Sequence, residues 1–208
     1  MPFPLWATLL VASLVLSAVP GAGAVYTMRN SLTVGWRRTI WGVLGLQSAL
    51  AVHITIVAAG VGLLVVNSPV LLEAIRYAGA AYLGYLGVRQ ILRRPEISGD
   101  ETVPPVNESP FSLWLRGLGV NLLNPKSIVF YLAFIPPFLR PESPMLPQYL
   151  IIGATTIVVD TVVMQFGYAS IARPFRAFAH TVRGQRVMNG TFGGLFIAVA
   201  LLLVFIHE

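Results

Sequence analysis

The chain alternates long apolar runs with short polar or basic stretches, and each run is long enough to cross a bilayer as a helix. The first run predicts a helix over about residues 4–28, interrupted near Pro20. A basic stretch with Arg29, Arg37 and Arg38 follows, and a second helix runs from about Thr39 to Val66. Asn67-Ser68-Pro69 reads as a turn. A third helix spans about 70–92 and stops at Arg93-Arg94-Pro95, since proline cannot continue a helix. Residues 95–110 are polar and contain Pro95, Pro104, Pro105 and Pro110, so they form the longest loop. They divide a single domain, 1–208, into a first half, 1–94, and a second half, 111–208. The fourth run covers about 111–139, is interrupted at Asn124-Pro125-Lys126 and ends at Pro136-Pro137. Beyond Pro141, Pro144 and Pro147 a fifth helix covers about 148–171. A basic stretch with Arg173, Arg176, Arg183 and Arg186 leads to a sixth helix over about 187–206. The expected fold is an all-α integral membrane protein of six transmembrane helices.

The two interruptions organise this pattern. Proline lacks a backbone N–H and breaks a helix from inside. A lysine at membrane depth is costly unless it lies against protein or water. Asn124-Pro125-Lys126 combines both, and Pro20-Gly21-Ala22-Gly23 breaks the first run in the same way. The two prolines lie 105 residues apart in a chain of 208. Breaks at corresponding places in two halves are the signature of discontinuous helices that line a transport site. Ala22-Gly23-Ala24 also has the form of a signal-peptide cleavage site. The segment before it has no basic n-region and the apolar run continues through Val25 and Tyr26, so a retained helix is the expectation.

Composition agrees with a lipid-solvated chain. Hydrophobic residues make up 56% and charged residues 11%, against about 25% charged in soluble domains; the mean hydropathy is +0.75. There is no cysteine, which excludes disulfides and thiolate metal sites. The net charge of +6 does not point to nucleic acid, because the arginines fall in the short segments between apolar runs. Arg29, Arg37, Arg38, Arg89, Arg93, Arg94, Arg116, Arg173, Arg176, Arg183 and Arg186 flank the odd-numbered loops, and only Arg76 and Arg140 flank the even ones. This bias puts the odd loops, 95–110 included, in the cytoplasm and both termini outside. With three helices per half, the halves run through the membrane in opposite senses, as an inverted repeat.

Few residues in the apolar runs carry chemistry. Lys126 is the only lysine. It is read either as a functional ammonium at the break or as a side chain snorkelling to an interface. Asp160 stands inside Ile157-Val158-Val159-Asp160-Thr161-Val162-Val163. It is a candidate proton carrier or a partner of Lys126, with a structural ion pair as the alternative. His53 follows Pro20 by 33 residues and Asp160 follows Pro125 by 35, so the two occupy near-equivalent places. His53 either assists proton coupling or makes an interhelical hydrogen bond. Gln47 need not share its face, and Gln165 reads as packing. Small residues at four-residue spacing, namely Gly190, Gly194 and Ala198, Ala80 and Gly84, Gly45 and Ala49, are expected to let helices approach closely. No hydrolase or phosphate-loop motif occurs, and one intramembrane aspartate does not make a catalytic pair.

These segments resemble the LysE/RhtB family of bacterial amino-acid exporters. Ser17-Ala18-Val19-Pro20-Gly21-Ala22 is similar to its Pro-Gly-Pro motif, with Ala22 in place of the second proline. Gly35 through His53 resembles its stretch of glycine, basic residues, glycine and histidine. Gly79 through Gly87 looks like its third-helix signature, and Asn121-Leu122-Leu123-Asn124-Pro125-Lys126 through Phe138 its Asn-Pro-Lys motif. The resemblance implies efflux of lysine, arginine, threonine, homoserine, leucine or related compounds across the inner membrane, driven by a proton gradient or the membrane potential. Substrate binding and gating are then expected at Pro20, Gly21, Gly23, Asn124, Pro125 and Lys126, and ion coupling at Asp160 and His53. The expected partners are a small amino-acid-like substrate, a proton and membrane lipid, with a homo-oligomer compatible. No cofactor, metal, nucleic acid or enzymatic activity is called for. The competing readings are a membrane scaffold, an intramembrane enzyme and a passive channel.

Overall fold

A computed structural model describes residues 1–67, 69–95, 107–140, 142–179 and 181–205, with backbone only at some helical positions, among them Pro125 and Lys126. All regular structure among the described residues is helical, with no strand. The helices are α1 (Phe3–Ala18), α2 (Ala22–Thr33), α3 (Trp36–Asn67), α4 (Pro69–Ile91), α5 (Pro110–Leu122), α6 (Pro125–Phe134), α7 (Met145–Val162), α8 (Ala172–Ala179) and α9 (Val182–Phe205). Pro136–Phe138 forms a 3₁₀ turn, and a π-helical segment, Val163–Tyr168, continues α7. Most of the 95–110 loop lies outside the described residues.

Both expected interruptions are present. α1 ends before Val19-Pro20-Gly21 and α2 leaves at a bend of 59°. α5 ends at Leu122, and Pro125 opens α6 at its first position, where a missing N–H removes no helical bond. Lys126 therefore belongs to the first turn of α6 and not to the break itself. α3 and the stretch Met145–Tyr168 are long and apolar enough to cross a membrane, and the bent pair α1–α2 makes a third such span among the described residues. The second long helix starts at Trp36, ahead of the expected Thr39 and taking in Arg37 and Arg38, because Gly35, at φ 85°, turns the chain there in a conformation that glycine adopts without strain.

The exterior is apolar, and the interior holds polar groups within an apolar core that includes Leu9, Leu50, Phe134 and Ile152. Val11, Ile56, Leu150, Val158 and Phe166 point outward, while Ser13, Gln47, His53, Thr156 and Gln165 are buried. This suits a lipid surround, where apolar side chains cost nothing outside and polar ones must find partners inside. The backbones meet closely along two seams. α3 packs on α5 through Gly45 and Gly117: a β-carbon at Gly45 would lie 2.0 Å from the Trp114 carbonyl oxygen, and one at Gly117 2.2 Å from that of Gly42. α4 packs on α9 through Gly87 and Gly193, each aimed at the other's carbonyl. Gly45 thus acts as its spacing suggests. Gly84, Gly190 and Gly194 do not, since a β-carbon at any of them would meet nothing within 4 Å. On α9 the glycine that meets α4 is Gly193, one position from the expected row of Gly190, Gly194 and Ala198, while Ala80 on α4 is buried as its spacing suggests. Asn189, the start of a glycosylation-like triplet, is buried in that seam. It accepts from Gln90 at 3.0 Å and donates to the Arg93 carbonyl at 3.0 Å.

Candidate functional site

The two breaks meet. A cavity with about 100 Å³ open to the centres of water molecules is lined by Gly21, Ala22, Gly23 and Ala24 from the first break and by Asn121, Asn124 and Ser127 from the second. A single buried water needs only about 10–15 Å³ by that measure, so the space suits a small solute. Ser13 and Ser17 of α1 and Thr156 and Asp160 of α7 supply more polar groups, while Leu16, Phe130, Phe134 and Phe196 form apolar walls. A few polar groups in an apolar surround is the usual make-up of a small-molecule site.

Each side of the cavity has a local cause. Gly21 precedes α2 and has no side chain to cap its first amides. The early turn of α2 therefore presents backbone N–H groups and the positive end of its dipole to the cavity. Across the space, Asn121 at the end of α5 donates from Nδ2 to the Leu46 carbonyl at 3.0 Å. Its Oδ1 accepts from the Ser127 hydroxyl in α6 at 2.9 Å. One amide thus bridges the second break and fastens it to α3. Next to Leu46, Gln47 donates from Nε2 to Asp160 Oδ2 at 2.6 Å, and Ser17 flanks the same carboxylate. Three residues past Asp160 the helix widens into its π segment, where the Ala169 amide bonds the Met164 carbonyl at 2.9 Å. π turns inside helices cluster at functional sites. The Tyr168 hydroxyl at the end of this segment donates to the Ala18 carbonyl, tying it to the last turn of α1.

Of the residues singled out from sequence, Gly21, Gly23, Asn124 and Asp160 line the cavity. Pro20 precedes it and shapes the break. Pro125 and Lys126 occupy the first turn of α6 beside Ser127, and their side chains lie outside the described residues. His53 does not line the cavity. Its Nε2 lies 3.4 Å from the Leu122 carbonyl oxygen, and its ring stacks at 6.1 Å on Tyr131, which does line it. Gln47 and His53 face different neighbours, Asp160 and Tyr131. Gln165 is a packing group: its Nε2 donates to the Trp36 carbonyl at 3.0 Å, and Trp36 Nε1 returns a bond to the Gln165 carbonyl at 3.0 Å. Ser13, Ser127, Tyr131 and Thr156 went unnoticed in the sequence. Their signal was four-residue spacing: Ser13 to Ser17 on α1, and Thr156 to Asp160 on α7.

A cavity with a few polar groups between two broken helices, inside an outward-apolar helical shell, is the arrangement found in membrane transport proteins. The chain belongs to the family described as LysE type translocator, whose sequence model matches residues 14–206. It is 42% identical over 203 residues to a homoserine/homoserine lactone efflux protein of Salmonella typhimurium, covering 98% of this chain and 97% of that one. It is 34% identical to an uncharacterized membrane protein of Vibrio cholerae, with 98% of each chain covered. It is 30% identical to a leucine efflux protein of Salmonella choleraesuis, covering 94% of this chain and 92% of that one. No solved structure matches the chain significantly.

Proposed function

We propose that this protein is a secondary transporter that exports amino acids or small amino-acid-like metabolites across the bacterial inner membrane, coupled to the proton gradient or the membrane potential. The observation that carries the reading is the cavity shared by both helix breaks, with Asp160 at one wall and the start of α2 at another. A zwitterion matches these two poles. Its carboxylate sits at the first turn of α2, where backbone donors and the dipole favour an anion. Its ammonium sits against Asp160. The efflux activities in the names of two relatives support the same cargo class.

Six spans in two inverted repeats fit the pairing of helices. α1–α2, α3 and α4 form the first half, and α5–α6, α7 and α9 the second. α3 packs on α5, α1 packs on α7, and α4 packs on α9, as a two-fold relation between halves requires. In this arrangement both termini are periplasmic and 95–110 is cytoplasmic. Pro20, Gly21, Gly23, Asn124 and Pro125 form the gating breaks. Lys126 binds the substrate carboxylate or pairs with Asp160 when the site is empty. Asp160 takes and releases the coupling proton as the halves rock, with His53 acting behind Tyr131.

The test is efflux from cells loaded with an amino-acid panel, comparing wild type with Lys126→Ala at matched membrane expression. Faster loss of one or a few compounds with wild type alone supports export and a role for Lys126. Equal loss with both proteins removes Lys126 from the mechanism. No accelerated loss of any compound with wild type counts against export itself.

A further inference from the structure

We propose that Ser13 and Thr156 recognise a hydroxyl on the substrate's side chain and so set this chain's selectivity among amino acids. The inference rests on the export reading and assigns its specificity to two residues outside the breaks.

Hydroxyl groups inside helices ordinarily satisfy themselves on the carbonyl four residues back. Thr8 does so on Pro4 at 3.0 Å, Ser48 on Leu44 at 2.9 Å, Thr55 on Ala51 at 2.8 Å and Thr161 on Ile157 at 2.7 Å. Ser13 and Thr156 do not, although each has a helical turn behind it. Their residues are 1% and 4% exposed, and neither hydroxyl has a hydrogen-bond partner among the described residues. Both line the cavity. A buried hydroxyl left without a partner is costly, so these two are built to meet something that enters the cavity.

Their placement indicates what that is. Ser13 lies four residues before Ser17, and Thr156 four before Asp160. Trp6 Nε1 donates to Thr155 Oγ1 at 3.1 Å near the start of α1, and Tyr168 reaches Ala18 at its end, so α1 and α7 run in the same direction. Ser17, Asp160 and Gln47 form one polar cluster at the cavity wall. Ser13 and Thr156 each stand one turn back along their own helix from Ser17 and Asp160, about 6 Å at 1.5 Å per residue, and both line the same cavity. In an α-amino acid, the path from the nitrogen to a hydroxyl on the γ-carbon has four bonds of about 1.5 Å each, a comparable reach. A substrate with its ammonium on Asp160 thus brings such a hydroxyl to Ser13 and Thr156. An analogue with a methyl in that place fits the same apolar walls of Leu16, Phe130 and Phe134 but leaves both hydroxyls unpaired. Sites that pair a substrate hydroxyl discriminate against analogues lacking it for this reason.

The experiment is transport in proteoliposomes containing the full-length protein, with homoserine and norvaline as probes, since norvaline carries a methyl where homoserine has its hydroxyl. Wild type is expected to favour homoserine. Ser13→Ala and Thr156→Val should each lower the homoserine-to-norvaline ratio about two- to tenfold, the worth of one neutral hydrogen bond. Thr156→Ser, which keeps the hydroxyl, should preserve the ratio. Two single variants carry the test separately, so misfolding of one leaves the other to decide. Equal transport of both probes by wild type, or a wild-type ratio in the Ala and Val variants, overturns the proposal and leaves export standing. If folded wild type moves neither probe nor any other amino acid, the export reading fails and takes this inference with it.

Discussion

Gln47 on α3 donates its amide to the carboxylate of Asp160 on α7 at 2.6 Å. The pair joins two of the longest apolar helices at the wall of the cavity. A hydrogen bond to a carboxylate is stronger than one between neutral groups, and stronger still away from water. It fixes the orientation of Asp160 toward the space between the breaks. Gln47 is a neutral partner: its amide orients the Asp160 carboxyl without adding a charge of its own.

Asp160→Asn keeps the shape of the side chain and removes its charge. Proton-driven export in proteoliposomes should fall at least about tenfold, while the protein still assembles in the membrane. His53→Gln should have a weaker effect on the same assay, because His53 does not line the cavity and stacks behind Tyr131, which does. Coupled export that survives Asp160→Asn would remove the proton role from Asp160.

Asn121 holds the second break with two bonds, to Leu46 and from Ser127. Asn121→Ala loses both and leaves Ser127 without that acceptor. The expected cost is about 1–3 kcal/mol, read as a lower midpoint in thermal unfolding in detergent. An unchanged midpoint would mean that the turn at Asn124 holds without this brace.

The glycines divide by what they touch. Gly45→Ala would put a methyl 2.0 Å from the Trp114 carbonyl oxygen, and should destabilise by about 1–3 kcal/mol or prevent assembly. Gly84→Ala and Gly190→Ala meet open space and should change stability by less than about 1 kcal/mol. Thermal melts of the three variants side by side decide the matter; a reversed order would contradict the packing of α3 on α5.

The absence of native cysteine makes orientation easy to test. Ser143→Cys, in the exposed turn before α7, should react with a membrane-impermeant thiol reagent added to intact cells. Arg94→Cys, at the exposed end of α4, should react only after the membrane is opened. The opposite pattern would reverse the topology drawn from the arginines.

Features that depend on local chemistry were legible along the chain. Apolar runs and their length made the protein a helical membrane protein. Pro20 and Pro125 marked the two breaks, because a missing N–H and a locked φ act wherever the chain goes. The isolation of Asp160 in an apolar run made it a candidate, and it lines the cavity; the combined motifs pointed to the family. Only the tertiary structure decided which polar groups share one space. Gln47 and Asp160 are 113 residues apart, and nothing local to either predicts that α3 and α7 turn those faces together. Ser13 and Thr156 look like ordinary helix hydroxyls until their neighbours show that they have given up the usual bond to the preceding turn. The phase of the glycine rows was also beyond local reading. A period of four names several faces of a helix, and only packing against Gly87 selects Gly193 over Gly190 or Gly194.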